Sequence, residues 1–342
     1  MDVETELPPA FARALLIWYG RERRDLPWRW TRAPYRIWVS EIMLQQTRVE
    51  TVIPYYRRFL RRFPSVRSLA RARRQDVLKA WEGLGYYRRA ANLHEGAKAV
   101  VERHGGRFPR DAKAIRALPG IGDYTAGAIR SIALGHNAPL VDGNVARVLA
   151  RLLAIRRPVR DRAVRARLWE VASAILPAGR AGDFNQAMME LGATVCTPRA
   201  PACPSCPVRR WCRAERLGTA DRVPTRAQAR ERPVRREPIA LVPRRGRILL
   251  RKRPDEGLLG GMWEFPPEAY LRGQGSRLGA GEAVGTYRHG FTHFSQVARV
   301  RRYPDARVGP DRALRWVDPR TLGNLPVTRL TTKISAALRG GT

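Results

Sequence analysis

Leu118-Pro119-Gly120-Ile121-Gly122-Asp123-Tyr124-Thr125-Ala126-Gly127 is the stretch on which the reading of this chain turns. It separates two runs with helical patterning, 112–117 and 125–134. Glycines at 120 and 122 permit a tight turn whose backbone N–H groups point outward. The helix start that follows adds free N–H groups and the positive end of its dipole. Together they make an anion site of neutral backbone, suited to a phosphate and blind to base identity. Pro119, Gly120, Ile121 and Gly122 are the candidate contacts. An ordinary interhelical turn would carry the same residues, so the flanks decide.

Outward from the hairpin, residues 8–215 read as helical, with apolar positions three and four apart in Phe11–Trp18, Val52–Phe63, Val77–Trp81 and Val164–Leu176. From Leu217 to Glu237 that periodicity vanishes into Arg, Ala, Pro and Thr, the composition of an exposed linker. Beyond it, Ile239–Val242 and Ile248–Leu250 flank Pro-Arg-Arg-Gly, a hairpin signal. Strand-like runs follow at Gly285–Tyr287, Gln296–Tyr303 and Ala313–Val317, then a helix near Val327–Leu338. The length of 342 residues suits two domains, the second a small α+β unit.

Composition narrows the partner. The 65 Lys+Arg outnumber 30 Asp+Glu, for a formal charge of +35, and only Lys79, Lys98, Lys113, Lys252 and Lys333 are lysines. A polyanion is the first partner to consider; the coding bias of a GC-rich genome would also give an Arg-rich, Lys-poor chain. A hydrophobic content of 44% excludes global disorder. No run of about 18 apolar residues exists to span a membrane. The start, with Asp2, Glu4 and Glu6, lacks the pattern of a signal peptide. A soluble, cytoplasmic protein with no membrane partner is expected.

Cys196, Cys203, Cys206 and Cys212 form a C-x6-C-x2-C-x5-C array. Four thiols packed so tightly in a cytosolic chain argue for a metal centre over disulfides. Structural zinc usually shows two close pairs split by a longer insert, and here only one close pair exists. A four-iron cluster suits the tight wrap better, with zinc or free structural thiols as the other readings. Arg209, Arg210 and Arg213 beside the last cysteine would present charge to a phosphate backbone.

The hairpin, the acidic residue in Val141-Asp142-Gly143-Asn144-Val145 and the cysteine spacing together resemble the endonuclease III superfamily of base-excision DNA glycosylases. Within it, Leu26-Pro27-Trp28, Ser40-Glu41-Ile42-Met43-Leu44-Gln45-Gln46-Thr47, Gly83-Leu84-Gly85-Tyr86-Tyr87 and Phe184-Asn185-Gln186-Ala187-Met188-Met189-Glu190-Leu191-Gly192 are similar to the MutY-type adenine DNA glycosylases. The implied fold is multidomain: an all-α helix-hairpin-helix glycosylase domain with an iron–sulfur cluster loop, then a small α+β Nudix-like domain. The implied boundaries are 1–216 for the helical region, 217–237 for the linker and 238–342 for the Nudix-like domain. Within the first, about 29–136 forms the helix-hairpin-helix barrel and 1–28 plus 137–216 the cluster domain. The implied cofactor is a [4Fe-4S] cluster on the four cysteines.

Releasing adenine requires an acid for the departing base and an anion facing the oxocarbenium-like sugar, the two-carboxylate logic of glycoside hydrolysis. Glu41 sits amid Ile42, Met43 and Leu44, an apolar setting that should keep it protonated. Asp142, beside a helix start, should stay ionised on nearby N–H groups. The resemblance makes Glu41 the proton donor and Asp142 the sugar-cation stabiliser, assisted by Tyr124 and Asn144. An N-terminal helix charge and a plain cap are the bland readings of the two acids. Strand-cleaving relatives carry a Schiff-base Lys where this chain has Tyr124, which implies a monofunctional enzyme. Arg24, Trp28 and Glu190 match positions lining an adenine pocket. Gln46 and Tyr86 match wedges that fill the gap left by a flipped base.

Gly257-Leu258-Leu259-Gly260-Gly261-Met262-Trp263-Glu264-Phe265-Pro266 resembles the opening of a Nudix fold. The stretch after it, Glu268–Gly281, holds Glu268 as its sole acid and lacks the acidic set that binds Mg²⁺. The resemblance implies 8-oxoguanine recognition instead, through Phe291-Thr292-His293, with Thr where the family has Ser, and through Thr47 and Leu84. The expected partner is double-stranded DNA with A:8-oxoguanine or A:G mispairs, met by a monomer in a bacterial-type cytoplasm and nucleoid-associated when DNA-bound. The rivals are a glycosylase/lyase for oxidised pyrimidines and a non-catalytic iron–sulfur DNA-binding protein.

Overall fold

The computed structural model describes residues 7–225 and 231–339. The chain divides into two compact units, 1–67 with 95–228 and 68–94 with 229–342. Fourteen α-helices and seven strands are present among the described residues.

The first unit is helical. It draws on α1 (Pro9–Glu22), α2 (Pro34–Leu44), α3 (Val49–Arg62), most of α6 (Arg88–His104), α7 (Ala112–Arg116), α8 (Asp123–Ala128), α9 (Gly143–Leu152), α10 (Arg162–Ala174), α11 (Ala181–Thr194) and the short α12 (Arg213–Arg216). Along α9, Val145, Val148, Leu149 and Leu152 fall on one face at the helical period. They meet Phe11 and Leu15 of α1, Leu168 and Val171 of α10, and Phe184, Met188 and Leu191 of α11 in one core. Burying each such side chain contributes about 1.5–3 kcal/mol. Asp111, Asp142 and Asp161 cap α7, α9 and α10 by accepting from backbone N–H groups, which satisfies donors the helix start leaves free. The helix expected over 125–134 begins at Asp123 and continues as a π-turn over Ile129–Ala133. At Gly192, a Cβ would lie 2.6 Å from the Asn144 Cβ, so glycine lets α11 and α9 approach this closely.

The second unit holds two sheets. In one, β6 (Ser295–Arg302) lies between β1 (Val234–Leu241), parallel to it, and β5 (Glu282–Gly290), antiparallel. In the other, β3 (Arg247–Lys252) pairs with β2 (Pro243–Arg244), β4 (Trp263–Glu264) and β7 (Leu314–Val317), all antiparallel. Ile239 and Leu241 enter one core with Leu250, Val300 and Ile334 of α14 (Arg329–Arg339), whereas Ala240 and Val242 enter a second with Leu249, Leu271 of α13 (Glu268–Gly273) and Tyr303. The period of two thus buries both faces of β1's end. The start of α6, the end of α4 (Val66–Arg71) and all of α5 (Arg74–Ala80) also belong here. The Gln75 amide donates to Gly261 O at 2.8 Å and accepts from the Trp263 indole at 3.0 Å.

The exposed linker expected over 217–237 is corrected at both ends. Ala220 and Val223 are buried, and Val223 O accepts from the Arg151 Nε at 2.9 Å. β1 starts at Val234 and pairs along its whole length with β6. Residues 226–230 lie outside the described residues. Small apolar residues in an Arg-rich run carry no periodicity to announce their burial.

Candidate active site

α2 is buried nearly all round, and Glu41 stands in its last turn at 4% exposure. Its place there excludes the reading as an N-terminal helix charge. Tyr124, in the first turn of α8, donates its hydroxyl to Glu41 Oε2 and also faces Met189 Sδ at 3.5 Å. Across the same cleft, Asp142 caps α9, with Val145 N donating to Oδ1 at 2.7 Å and the Asn144 amide donating to Oδ2 at 3.0 Å. Arg147 supports this arrangement, reaching Asn144 Oδ1 at 2.9 Å, Gly192 O at 2.6 Å and Cys196 O at 2.8 Å.

Burial pushes Glu41 up to about 7, with the Tyr124 hydrogen bond pulling the other way and Asp142 repulsion adding to the rise. Asp142 departs from expectation. Its N–H partners and Arg147 hold it down, but burial outweighs them and its pKa lies above the ordinary value. A local reading of the cap misses the helices that close over it. Burial and two nearby carboxylates raise the Tyr124 phenol well above its usual range, so it stays a donor.

Glu41, Tyr124, Asp142 and Asn144 line one open cleft, together with Arg24, Trp28, Glu190, Gln46 and Thr47. Glu190 accepts from Arg24 N, Nε and Nη2 at 2.9, 2.8 and 2.9 Å and from Arg29 Nη2 at 2.6 Å. Burial pushes its carboxyl up, but these bonds prevail and hold it at about 2. Trp28 packs edge-on against Tyr56, with ring centroids 5.5 Å apart. Arg29, Gln45, Met189 and Arg147 were not singled out in the sequence. No local signal separates Arg29 and Arg147 from the other arginines; Gln45 and Met189 lay inside quoted motifs.

At the hairpin, Gly120 adopts φ +78°, a left-handed backbone that suits glycine. Pro119 is half-buried and Gly122 exposed, while the Ile121 side chain is buried as an anchor. Ile121 N donates to Leu118 O at 3.1 Å.

The four cysteines and Arg151 line a separate small pocket. Arg151, 2% exposed, donates to Cys196 Sγ at 3.1 Å and Thr197 O at 2.8 Å. Burial pushes the Cys206 thiol up to about 12 and raises Cys203 and Cys212. Four thiolates in this cavity therefore need a cationic centre beyond Arg151, and an all-sulfur donor set fits iron or another soft metal. Among the described residues, no three His, Cys, Asp or Glu side chains form a group that could hold a single metal ion. Arg209 is paired with Glu215 at 2.7 Å, while Arg210 and Arg213 are exposed.

Within the second unit, the Tyr86 hydroxyl lies 2.9 Å from Thr292 Oγ1. Phe291 stacks on Phe294 at 4.5 Å, with Thr292 and His293 exposed between them. The Leu84 side chain is buried. Gln46 and Tyr86, in different units, both adopt left-handed backbone, φ +56° and +45°.

Residues 39–174 match the HhH-GPD superfamily of base excision DNA repair proteins, and 239–337 match the NUDIX domain. The adenine DNA glycosylase of Buchnera aphidicola subsp. Acyrthosiphon pisum is 34% identical over 292 residues, 83% of either chain. The chain belongs to the adenine DNA glycosylase family. The human adenine DNA glycosylase is 42% identical over 314 residues, covering 75% of this chain and 57% of the human one. Against the first four curated members of the family, this chain spans 46–60% of their length. A thermostable thymine-DNA glycosylase structure is 32% identical, with TM-score 0.55, covering 61% of this chain and 96% of that one. An endonuclease III–DNA complex, 22% identical with TM-score 0.53, shares the fold over 61% of this chain and 95% of that chain. The family architecture is a helical helix-hairpin-helix domain followed by a Nudix-like α+β domain. No helix among the described residues is long and apolar enough to cross a membrane.

Proposed function

We propose that this protein is a monofunctional adenine DNA glycosylase of base-excision repair, hydrolysing the N-glycosidic bond of adenine opposite 8-oxoguanine or G. The observation that carries the reading is the pair of carboxylates in one cleft, one buried and bonded to a phenol, the other half-buried and bonded to N–H groups. Glu41, near half-protonated at neutral pH, gives its proton to the departing base and afterwards takes one from water. Asp142 faces the sugar as its positive charge develops, held in place by Asn144 and Val145 N. Tyr124 fixes the Glu41 carboxyl. Among the described residues, no lysine lines the cleft to form an imine, which supports base release without strand cleavage.

Adenine reaches the cleft by base flipping, with Arg24, Trp28 and the Glu190 ion pair as its walls and Gln46 and Tyr86 filling the vacated stack. Thr47 and Leu84 join Phe291, Thr292 and His293 in reading 8-oxoguanine, with the Thr292 hydroxyl standing in for a serine. Pro119–Gly122 holds a phosphate of duplex DNA, met by a monomer in the cytoplasm. Cys196, Cys203, Cys206 and Cys212 hold a [4Fe-4S] cluster, which when bound supplies a rigid cross-link for the loop over 196–212.

A single-turnover assay on duplexes carrying A:8-oxoguanine, A:G or thymine glycol, with and without alkali, tests the proposal. Adenine release with strand breaks only after alkali is the expected result. Spontaneous nicking overturns monofunctionality, and no release from any duplex overturns the enzyme reading.

A further inference from the structure

The second unit carries a cationic hairpin that the function proposed above does not use. β2 and β3 are joined by Arg245-Gly246, and both residues adopt left-handed backbone, φ +47° and +73°. Such a two-residue turn favours Asn-Gly or Asp-Gly. A side chain with a Cβ is strained there, so folding alone would not select arginine at 245. Directly across the ladder, Arg244 faces Arg247, a like-charge pair that also weakens strand pairing. Both departures put guanidinium groups into solvent, since Arg244, Arg245 and Arg247 are all exposed.

Beside the hairpin, Arg247, Arg315, Trp316, Asp318, Thr321 and Asn324 line an open cleft. The Arg244 guanidinium sits 5.5 Å from the centre of the Trp316 ring. Among the described residues, none of Arg244, Arg245, Arg247 and Arg315 lies within ion-pair distance of a carboxylate. The one acid of the cleft, Asp318, is held by Arg320 at 2.7 Å and is further stabilised by the charge of Arg247, so it is already neutralised. This surface lies on the β2–β3–β7 sheet, whereas Phe291–His293 lies in the turn between β5 and β6 of the other sheet.

We infer that the β2–β3 hairpin and the Arg315–Trp316 cleft form a second nucleic-acid contact, taking the phosphodiester backbone of duplex DNA regardless of sequence or lesion. Unpaired guanidinium groups on a two-residue turn release counterions from phosphates, and nothing around them is arranged to read base edges. An acidic peptide is the competing occupant. The inference takes DNA as the polyanion from the function proposed above but does not depend on base release, so the two readings fail separately.

The test is the salt dependence of binding to an undamaged fluorescent duplex, from about 50 to 200 mM salt. R244Q/R245N/R247Q removes three cations while placing at 245 a residue the turn favours; an unchanged or higher unfolding temperature verifies the fold. The slope of log K against log salt should become shallower by about two to three, and by about one in R315Q, at ~0.9 per lost phosphate contact. Affinity at the upper salt should fall at least about tenfold in the triple variant, with single-turnover base release at saturating enzyme unchanged. R57Q/R58Q/R61Q, removing three exposed charges from α3, is the net-charge control. An unchanged slope in the triple variant or in R315Q, as an acidic-peptide site would give, overturns the inference. So does an equal fall in the control, or a loss of base release without a change in slope.

Discussion

Two walls of one cleft carry the same side chain in opposite states. Glu41 and Glu190 are both buried, yet burial and the nearby Asp142 lift the first to about 7 against the pull of a phenol, while Arg24 and Arg29 hold the second at about 2. Burial alone therefore does not set charge; the partner does. The wall that keeps its proton is the one that can give it away. The wall that is ionised is bound by four hydrogen bonds and serves as a clamp between α11 and the segment after α1.

The largest expected effect comes from breaking the protonated wall. Glu41→Gln keeps shape and removes the transferable proton, and should lower single-turnover base release by about 10²–10⁴-fold. Duplex affinity should stay near that of the parent, and a parallel loss of affinity would show that Glu41 builds the site instead of acting in it. Asp142→Asn should cost about 10²–10³-fold by removing the anion proposed to face the sugar, with the α9 cap retained by the amide oxygen. A retained rate would remove Asp142 from the chemistry.

The ionised wall fails differently. Glu190→Gln leaves Arg29, nearly buried, and Arg24, one-third exposed, without their carboxylate. Breaking a buried pair costs about 3–5 kcal/mol, less here because Arg24 is partly screened. A several-degree drop in unfolding temperature should exceed any drop in the rate of the folded fraction. The two walls also oppose each other in pH dependence. Glu41 binds its proton more tightly folded than unfolded, so its contribution to stability is present at low pH and lost as pH rises from about 4.5 to about 7. Glu190 contributes above about 4.5 and loses that contribution as pH falls toward about 2. Comparing E41Q and E190Q with the parent in pH-dependent melts should give differences of opposite slope; parallel curves would refute the contrast.

The smallest effect sharpens the comparison. The Tyr124 hydroxyl lowers the Glu41 pKa by bonding to its ionised form. Tyr124→Phe should therefore move the alkaline fall of the pH–rate profile upward by about one unit or less. A downward move would mean the phenol stabilises the acid form.

The sequence disclosed the protonated wall better than the ionised one. Glu41 was legible because it stands in an apolar run of its own helix, of which Leu44 shares its cleft. The Gly120–Gly122 turn and the cysteine array were legible for the same reason, since their meaning lies in short spacings. Arg29, Arg147 and Arg151 were not, because sixty arginines look alike until tertiary packing buries a few. The raised pKa of Asp142 escaped for a related cause: the cap is local and pulls down, whereas the burial that outweighs it comes from distant helices. The grouping of 68–94 with the second unit rests on contacts such as Gln75 with Trp263, 188 residues apart, which no periodicity can announce.

The left-handed backbone at Gln46 and Tyr86 bears on how such a protein can be improved. Each residue pays about 1 kcal/mol to hold a conformation that glycine or asparagine would adopt more easily. A laboratory selection for heat resistance alone would favour replacing both, and it would count each replacement as a gain. Among its survivors, the hardiest would have blunted the two side chains proposed above to fill a vacated base stack.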